Sequence, residues 1–509
     1  MNKKIIISIL LIIFLIQSVQ LSIWIKKDNS PPAWDQSWHA MISINKYNQL
    51  LKKNSLTTDQ VGRIYPIFSF ANNLYPPFFH ISSIPFYILF GTDYDSALMT
   101  NLLFLAILIL SAFFIGKKIY DNESGLLASF IASTIPIYNS MMRDYLIDFS
   151  LCAMVALGFA LLLYAEHFEN FKYSILFGIV LGLGMLTKWT YVVYLIVPIF
   201  YSLFIFLKKN WKSGKLKSKL KNILFWFLSA FAISISWYNP SQLKRSIPLL
   251  LRFTLVQGSL EGDPVFYSLK GLFHYLFVMI NQYSLFYFLI FLFGIVTFVQ
   301  FYKKNKIPIK NYLYSIIFIY FIFTLISNKD PRYIIPIYIF LVITSIFGIF
   351  IIDNKKIRYS AIALIVVFGL FQNISYNSQT IDVNYNINGI SIFNSKGIYP
   401  HYSKIDIDEI LSAINNLNNK EYFSVCIAAE SNTLNDVNIP YYAFKENYPV
   451  RYMVGNGCNP LEFDYTILGP IHQTWRSGTF ENSKSILNNN IDNFEVIYSS
   501  GEINIYKRI

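Results

Sequence analysis

The chain has 509 residues, of which 54% are hydrophobic, 18% aromatic and only 14% charged, with a net charge of +13. That balance is too apolar for an ordinary soluble protein and reads as a polytopic α-helical membrane protein. The Lys and Arg residues lie in short runs between apolar segments, so the positive charge is assigned to membrane orientation and to contact with acidic membrane lipids, which excludes nucleic acid as a partner.

Apolar runs long enough to cross roughly 30 Å of hydrocarbon fall near residues 5–25, 97–115, 125–140, 146–165, 173–187, 189–207, 223–238, 283–302, 312–327, 333–352 and 358–372, eleven in all. The first carries Lys3 and Lys4 ahead of it, but Gln17-Ser18-Val19-Gln20 offers no small-residue cleavage site, so a retained anchor is expected rather than a signal peptide. Lys3/Lys4, Lys117/Lys118, Lys172, the run Lys208 to Lys221, Lys303 to Lys310 and Lys355 to Arg358 then share one side, the cytoplasmic one. The loop at 26–96, the turns near Arg143, Lys188 and Arg332, the loop at 239–282 and the C-terminal region are expected on the other. Phe78 to Phe90, short and containing Pro85, is read as a half-embedded or juxtamembrane helix. The spans at 173–187 and 189–207 are joined so tightly that one of them could be tilted or re-entrant.

After about Asn373 the apolar runs shorten and strand-like pieces appear at Tyr422–Ala429, Val450–Val454, Tyr465–Leu468, Phe494–Tyr498 and Ile503–Tyr506, the last two joined by a Ser-Gly turn. With a helix expected over Ile405–Leu417, residues 373–509 read as a small soluble α/β or α+β domain outside the membrane, and residues 1–372 as the membrane domain with its first outer loop at 26–96. Three cysteines are too few for a disulfide scaffold, and Cys426 and Cys458 could pair or serve as core residues.

A charge retained near a span costs about 2.5 to 3.5 kcal/mol at a helix centre, so those kept at the outer ends need partners. Asp35 follows the first span in Pro31-Pro32-Ala33-Trp34-Asp35-Gln36. Arg143 and Asp148 occur in Arg143-Asp144-Tyr145-Leu146-Ile147-Asp148 after Pro136, Lys188 ends Gly182-Leu183-Gly184-Met185-Leu186-Thr187-Lys188, and Arg332 lies in Asp330-Pro331-Arg332-Tyr333. Singly, each has an ordinary reading: an Arg143–Asp148 pair, Lys188 snorkelling to headgroups, Arg332 paired with Asp330. Together at one boundary, they point to a shared anionic ligand.

The order of these motifs, with Tyr75-Pro76-Pro77-Phe78-Phe79-His80 between them, resembles the membrane glycosyltransferases of the GT-C fold. The branch it resembles is the dolichyl-phosphate-mannose protein mannosyltransferases with their aminoarabinose-transferase-like relatives. The resemblance implies a GT-C-like protein of about eleven transmembrane helices with a small extracytoplasmic α/β domain, multi-pass in the plasma membrane. It would move a monosaccharide, with inversion, from a polyprenyl-phosphate-linked sugar donor to a glycan, lipid or protein acceptor on the outer face. It also implies Asp35 as the catalytic residue, Lys188, Arg332 and Arg143 on the donor phosphate, and Tyr75, His80, Asp148 and Tyr333 as substrate-binding. Relatives often read Asp-Glu where this chain has Asp35-Gln36, and His or Lys where it has Tyr75. No spacing demands a metal; no cofactor is required by any motif, and a divalent metal stays open. A lipid-linked saccharide flippase and a membrane-anchored envelope assembly subunit are the alternatives. Charges gathered at one boundary rather than at the bilayer centre disfavour the first, and eleven spans exceed what anchoring requires.

Overall fold

The computed structural model describes residues 1–51, 56–301, 309–377, 386–387, 390–391, 400–455, 457–472 and 477–509. Most of the Lys303–Lys310 run lies outside the described residues. Each of the eleven apolar segments contains helix, but they are not equally able to span. Among the described residues, Lys3–Lys27, Tyr94–Ile119, Ile147–Tyr164, Tyr191–Lys212, Pro331–Phe350 and Lys355–Ser375 are long and apolar enough to cross a membrane. Leu269–Tyr283 and Leu285–Gln300, bent by 113°, add a seventh if they form one span. Phe78–Phe90, Phe171–Met185 and Tyr312–Leu325 are shorter apolar helices.

The shortfall from eleven has local causes. The 125–140 segment is cut into Asn122–Thr134 and Pro136–Met141 because Ile135, ahead of Pro136, is extended at φ −63°, ψ 125°. Leu216–Ser234 spends its first turns on Lys217, Lys219 and Lys221. The 26–96 loop also holds helices too polar or short to register as spans: Trp34–Leu50, Thr58–Ile64 and Pro66–Leu74.

In space the chain falls into two compact units, Met1–Trp24 with Pro76–Phe79 and Asn101–Tyr399, and Ile25–Tyr75 with His80–Thr100 and Pro400–Ile509. Within the first, Pro331–Phe350 is the central helix, with 94% of its apolar window buried, against 22% for Lys3–Lys27 and for Lys355–Ser375. Phe171–Met185 packs on Leu216–Ser234 through Gly178 and Gly182, where an added Cβ would come within 2.3 Å of the Trp226 carbonyl oxygen and 2.9 Å of that of Ala230. Small residues four apart let two backbones approach in this way.

The second unit is built on a five-stranded sheet in the order Val450–Val454, Phe423–Glu430, Tyr465–Ile471, Ile503–Arg508, Phe494–Ser500. The first three strands run parallel and the last two pair antiparallel, closed by the Gly501 turn at φ +61°. Ile407–Leu417 is helical, and Cys426 and Cys458 form a disulfide across 5.7 Å between Cα atoms. Asp464 ties two strands by accepting from the Ser424 backbone N–H and hydroxyl at 2.8 and 2.7 Å, with Lys420 as counter-ion.

Candidate active site

In the first unit the turn that carries Lys188 is set by a tyrosine. Tyr191 lies between two helices at glycines, since a Cβ on Gly184 would meet its ring at 2.4 Å and one on Gly158 its hydroxyl at 2.1 Å. The hydroxyl donates to the Met154 carbonyl at 3.1 Å. Gly184 therefore serves a close ring contact, and the Phe171–Met185 helix ends there in a turn whose Lys188 N–H donates to the Gly184 carbonyl at 3.1 Å. The Lys188 ammonium forms a 2.7 Å ion pair with Asp148, in the first turn of Ile147–Tyr164, with side chains 11% and 4% exposed. It also lies 5.5 Å from the centre of the Tyr333 ring.

The backbone around Tyr333 is held by side chains that cap its carbonyls in succession. His274 binds that of Lys329 at 3.1 Å, Tyr275 that of Asp330 at 3.2 Å, Gln282 that of Pro331 at 3.1 Å and Tyr194 that of Tyr333 at 2.8 Å. Pro331 opens a 3₁₀ helix capped by Asp330, whose carboxylate receives the Arg332 backbone N–H at 2.8 Å and its guanidinium at 2.6 to 3.1 Å. Burial pushes the Asp330 carboxyl up, but Arg332, helped by Lys188, holds it below the usual carboxylate range. Arg143, buried at 4% exposure, sits on a turn whose Met142 and Asp144 carbonyls accept from the Asn101 side-chain amide at 3.0 and 3.1 Å, with Phe79 packed on Tyr145 at 4.6 Å.

In the second unit Asp35 lies half-buried in the first turn of Trp34–Leu50, where a carboxylate is favoured by the helix dipole. The preceding Trp34 donates its indole N–H to the Glu430 carboxylate at 2.9 Å. One turn beyond Asp35, buried His39 shares a 2.9 Å ring-nitrogen hydrogen bond with buried His80, and the Tyr75 ring packs on His39 at 4.5 Å.

Lys188, Asp148 and Tyr333 are thus brought together in one unit, with Arg332 adjoining through Tyr333, while His80 and Tyr75 meet at His39 in the other. Asp148 is the partner of Lys188, forty residues away. Among the described residues no three of His, Cys, Asp or Glu gather as metal ligands would. Glu430 escaped the sequence reading because a single acid ending an apolar strand carries no motif; its signal is that it is fully buried.

Residues 76–237 match the family described as dolichyl-phosphate-mannose-protein mannosyltransferase. No curated protein matches the sequence. Among solved structures, ArnT from Cupriavidus metallidurans bound to undecaprenyl phosphate is similar at 12% identity and TM-score 0.61, over 99% of this chain and 97% of that one. The Archaeoglobus fulgidus oligosaccharyltransferase with Zn and sulfate is similar at 13% identity and TM-score 0.55, over 91% of this chain and 68% of that one. AglB from the same organism, in complex with an inhibitory peptide and a dolichol-phosphate, gives 12% identity and TM-score 0.55, over 95% and 68%. The chain therefore has the GT-C fold and resembles membrane glycosyltransferases of the protein mannosyltransferase and ArnT type.

Proposed function

We propose that this chain is an inverting glycosyltransferase that moves a monosaccharide from a polyprenyl-phosphate carrier to an acceptor on the outer face of the membrane. The observation that carries it is the buried Lys188–Asp148 pair beside Tyr333 and Arg332, in a fold shared over nearly the whole chain with a protein bound to undecaprenyl phosphate. A desolvated cation is costly to maintain and serves best where an anion must be held.

In the proposed reaction an acceptor O–H or N–H attacks the anomeric carbon from the face opposite the phosphate. The bond from that carbon to the phosphate oxygen breaks, the acceptor proton passes to Asp35, and polyprenyl phosphate leaves with the electron pair. Lys188, Arg332 and Arg143 stabilise the charge that grows on the leaving phosphate, with Arg332 able to offer a planar fork of donors. Tyr333 and Asp148 orient the cations and the donor, and Tyr75 and His80 serve the substrates. A phosphate leaves with little acid assistance, so one carboxylate suffices where glycoside hydrolases use two. The Cys426–Cys458 bond supports an oxidising, extracytoplasmic location for the sheet-bearing segment, and the plasma membrane is the proposed site.

The test is mass spectrometry of lipid-linked sugars and envelope glycans in cells lacking the chain. A polyprenyl-phosphate sugar accumulates and one glycan residue disappears; unchanged lipid-linked sugars and glycans would overturn the proposal.

A further inference from the structure

The parallel strands of the second unit end, at Glu430, on the edge where α/β sheets ordinarily present groups to a ligand. Here that edge meets the chain's own Trp34. Glu430 is fully buried at the carboxyl end of its strand, opposite Ile471 of the parallel Tyr465–Ile471 strand. Its backbone is fixed, because its carbonyl accepts from the His472 N–H at 2.8 Å. Its side chain takes the Trp34 indole N–H at 2.9 Å. The chain just before is pinned as well: Asp28 accepts from the His401 N–H at 2.7 Å and Asn29 from the Ser403 N–H at 2.9 Å. Behind it, the Trp34–Leu50 helix packs on Asn438–Lys445. The helix start bearing Asp35 is therefore fixed by the C-terminal segment on both sides.

We propose that Glu430 is a positioning residue that sets the Asp35 carboxylate by anchoring Trp34, so that the C-terminal sheet takes part in catalysis through residue 34. This rests on the proposed role of Asp35. A bulky aromatic tethered by a hydrogen bond to a fully buried side chain defines its helix start far better than packing alone, and the residue after it inherits that placement. Misplacement of a reacting group by about 1 Å can cost on the order of 100-fold in rate.

The experiment uses the full chain in lipid vesicles, with donor lipid extracted from cells that lack it and membranes of those cells as acceptor. Glu430→Ala and Trp34→Phe are expected to lower kcat about 10- to 100-fold while the donor KM stays within about twofold. Glu430→Gln keeps an acceptor oxygen and is expected to recover most of the rate. Where Glu430→Ala does not yield a monodisperse protein, Trp34→Phe, which deletes only the donor and keeps an aromatic ring, decides. Normal kcat in Trp34→Phe overturns the assignment, as does a Glu430→Gln variant as slow as a folded Glu430→Ala. Asp35→Asn separates the two readings. If it is inactive while Glu430 and Trp34 variants turn over normally, only the positioning role falls; if it turns over normally, both fall.

Discussion

Around Lys188, cation and counter-ion come from helix starts and turns forty residues apart and are shut away from water together. Around Asp35, the acid sits half-exposed in the first turn of a helix, and the group that fixes its neighbour comes from a strand 396 residues later. In the first arrangement each charge stabilises the other against burial, so removing one strands its partner in a poorly solvated place. In the second the carboxylate is partly solvated at a helix start, so replacing it leaves the core in place. Changes at the first should cost stability as well as function, and changes at the second should cost function alone.

The largest expected effect tests the second arrangement. Asp35→Asn should lower the transfer rate about 10²- to 10⁴-fold, measured as donor consumption in vesicles, while shifting unfolding by no more than about 1 kcal/mol, the scale of a lost helix-dipole contact. Lys188→Met tests the first. It should destabilise the chain by about 3 to 5 kcal/mol in denaturant titration, and Asp148→Asn added to it should restore most of that stability without restoring undecaprenyl phosphate binding. A double variant that regains binding would show that the pair serves only the fold.

Smaller effects sharpen the contrast. Cys426→Ser/Cys458→Ser should weaken the second unit by about 2 to 4 kcal/mol, seen as an earlier thermal transition, with lipid-phosphate binding unchanged. Arg332→Ala should weaken undecaprenyl phosphate binding by about 1.5 to 3 kcal/mol, the range for hydrogen bonds to charged groups, in a calorimetric titration. The smallest effect is electrostatic. Burial pushes the Asp464 carboxyl up, but Lys420 and Ser424 hold it below the usual carboxylate range. Its contribution is present above the unfolded-state value and is lost as pH falls through the lower folded one. Acid unfolding of the second unit should accordingly be shallower in Asp464→Asn.

The sheet was legible because its strands are short β-rich runs bounded by turn residues: Val450–Val454 matches its predicted bounds, and the others begin within a residue of theirs. The helices were legible as apolar runs, but run length counts hydrophobicity and does not see the break imposed by Pro136 or the bend of 113° beside Ser284. The charged residues could be found because burying them is expensive. Their pairing could not, since Asp148 has Arg143 five residues away along the chain yet meets Lys188 in space. Glu430 shows the limit most clearly, because a contact between residues 34 and 430 leaves no trace in local composition.

The measurement that bears most directly on the account follows the donor itself. The full chain is reconstituted in vesicles with the polyprenyl-phosphate sugar that accumulates in cells lacking it, and free polyprenyl phosphate is quantified against sugar found on the acceptor. The account predicts equal amounts of the two, both lost in Asp35→Asn. Donor that crosses the bilayer intact, with no polyprenyl phosphate released, would contradict it and identify a transporter.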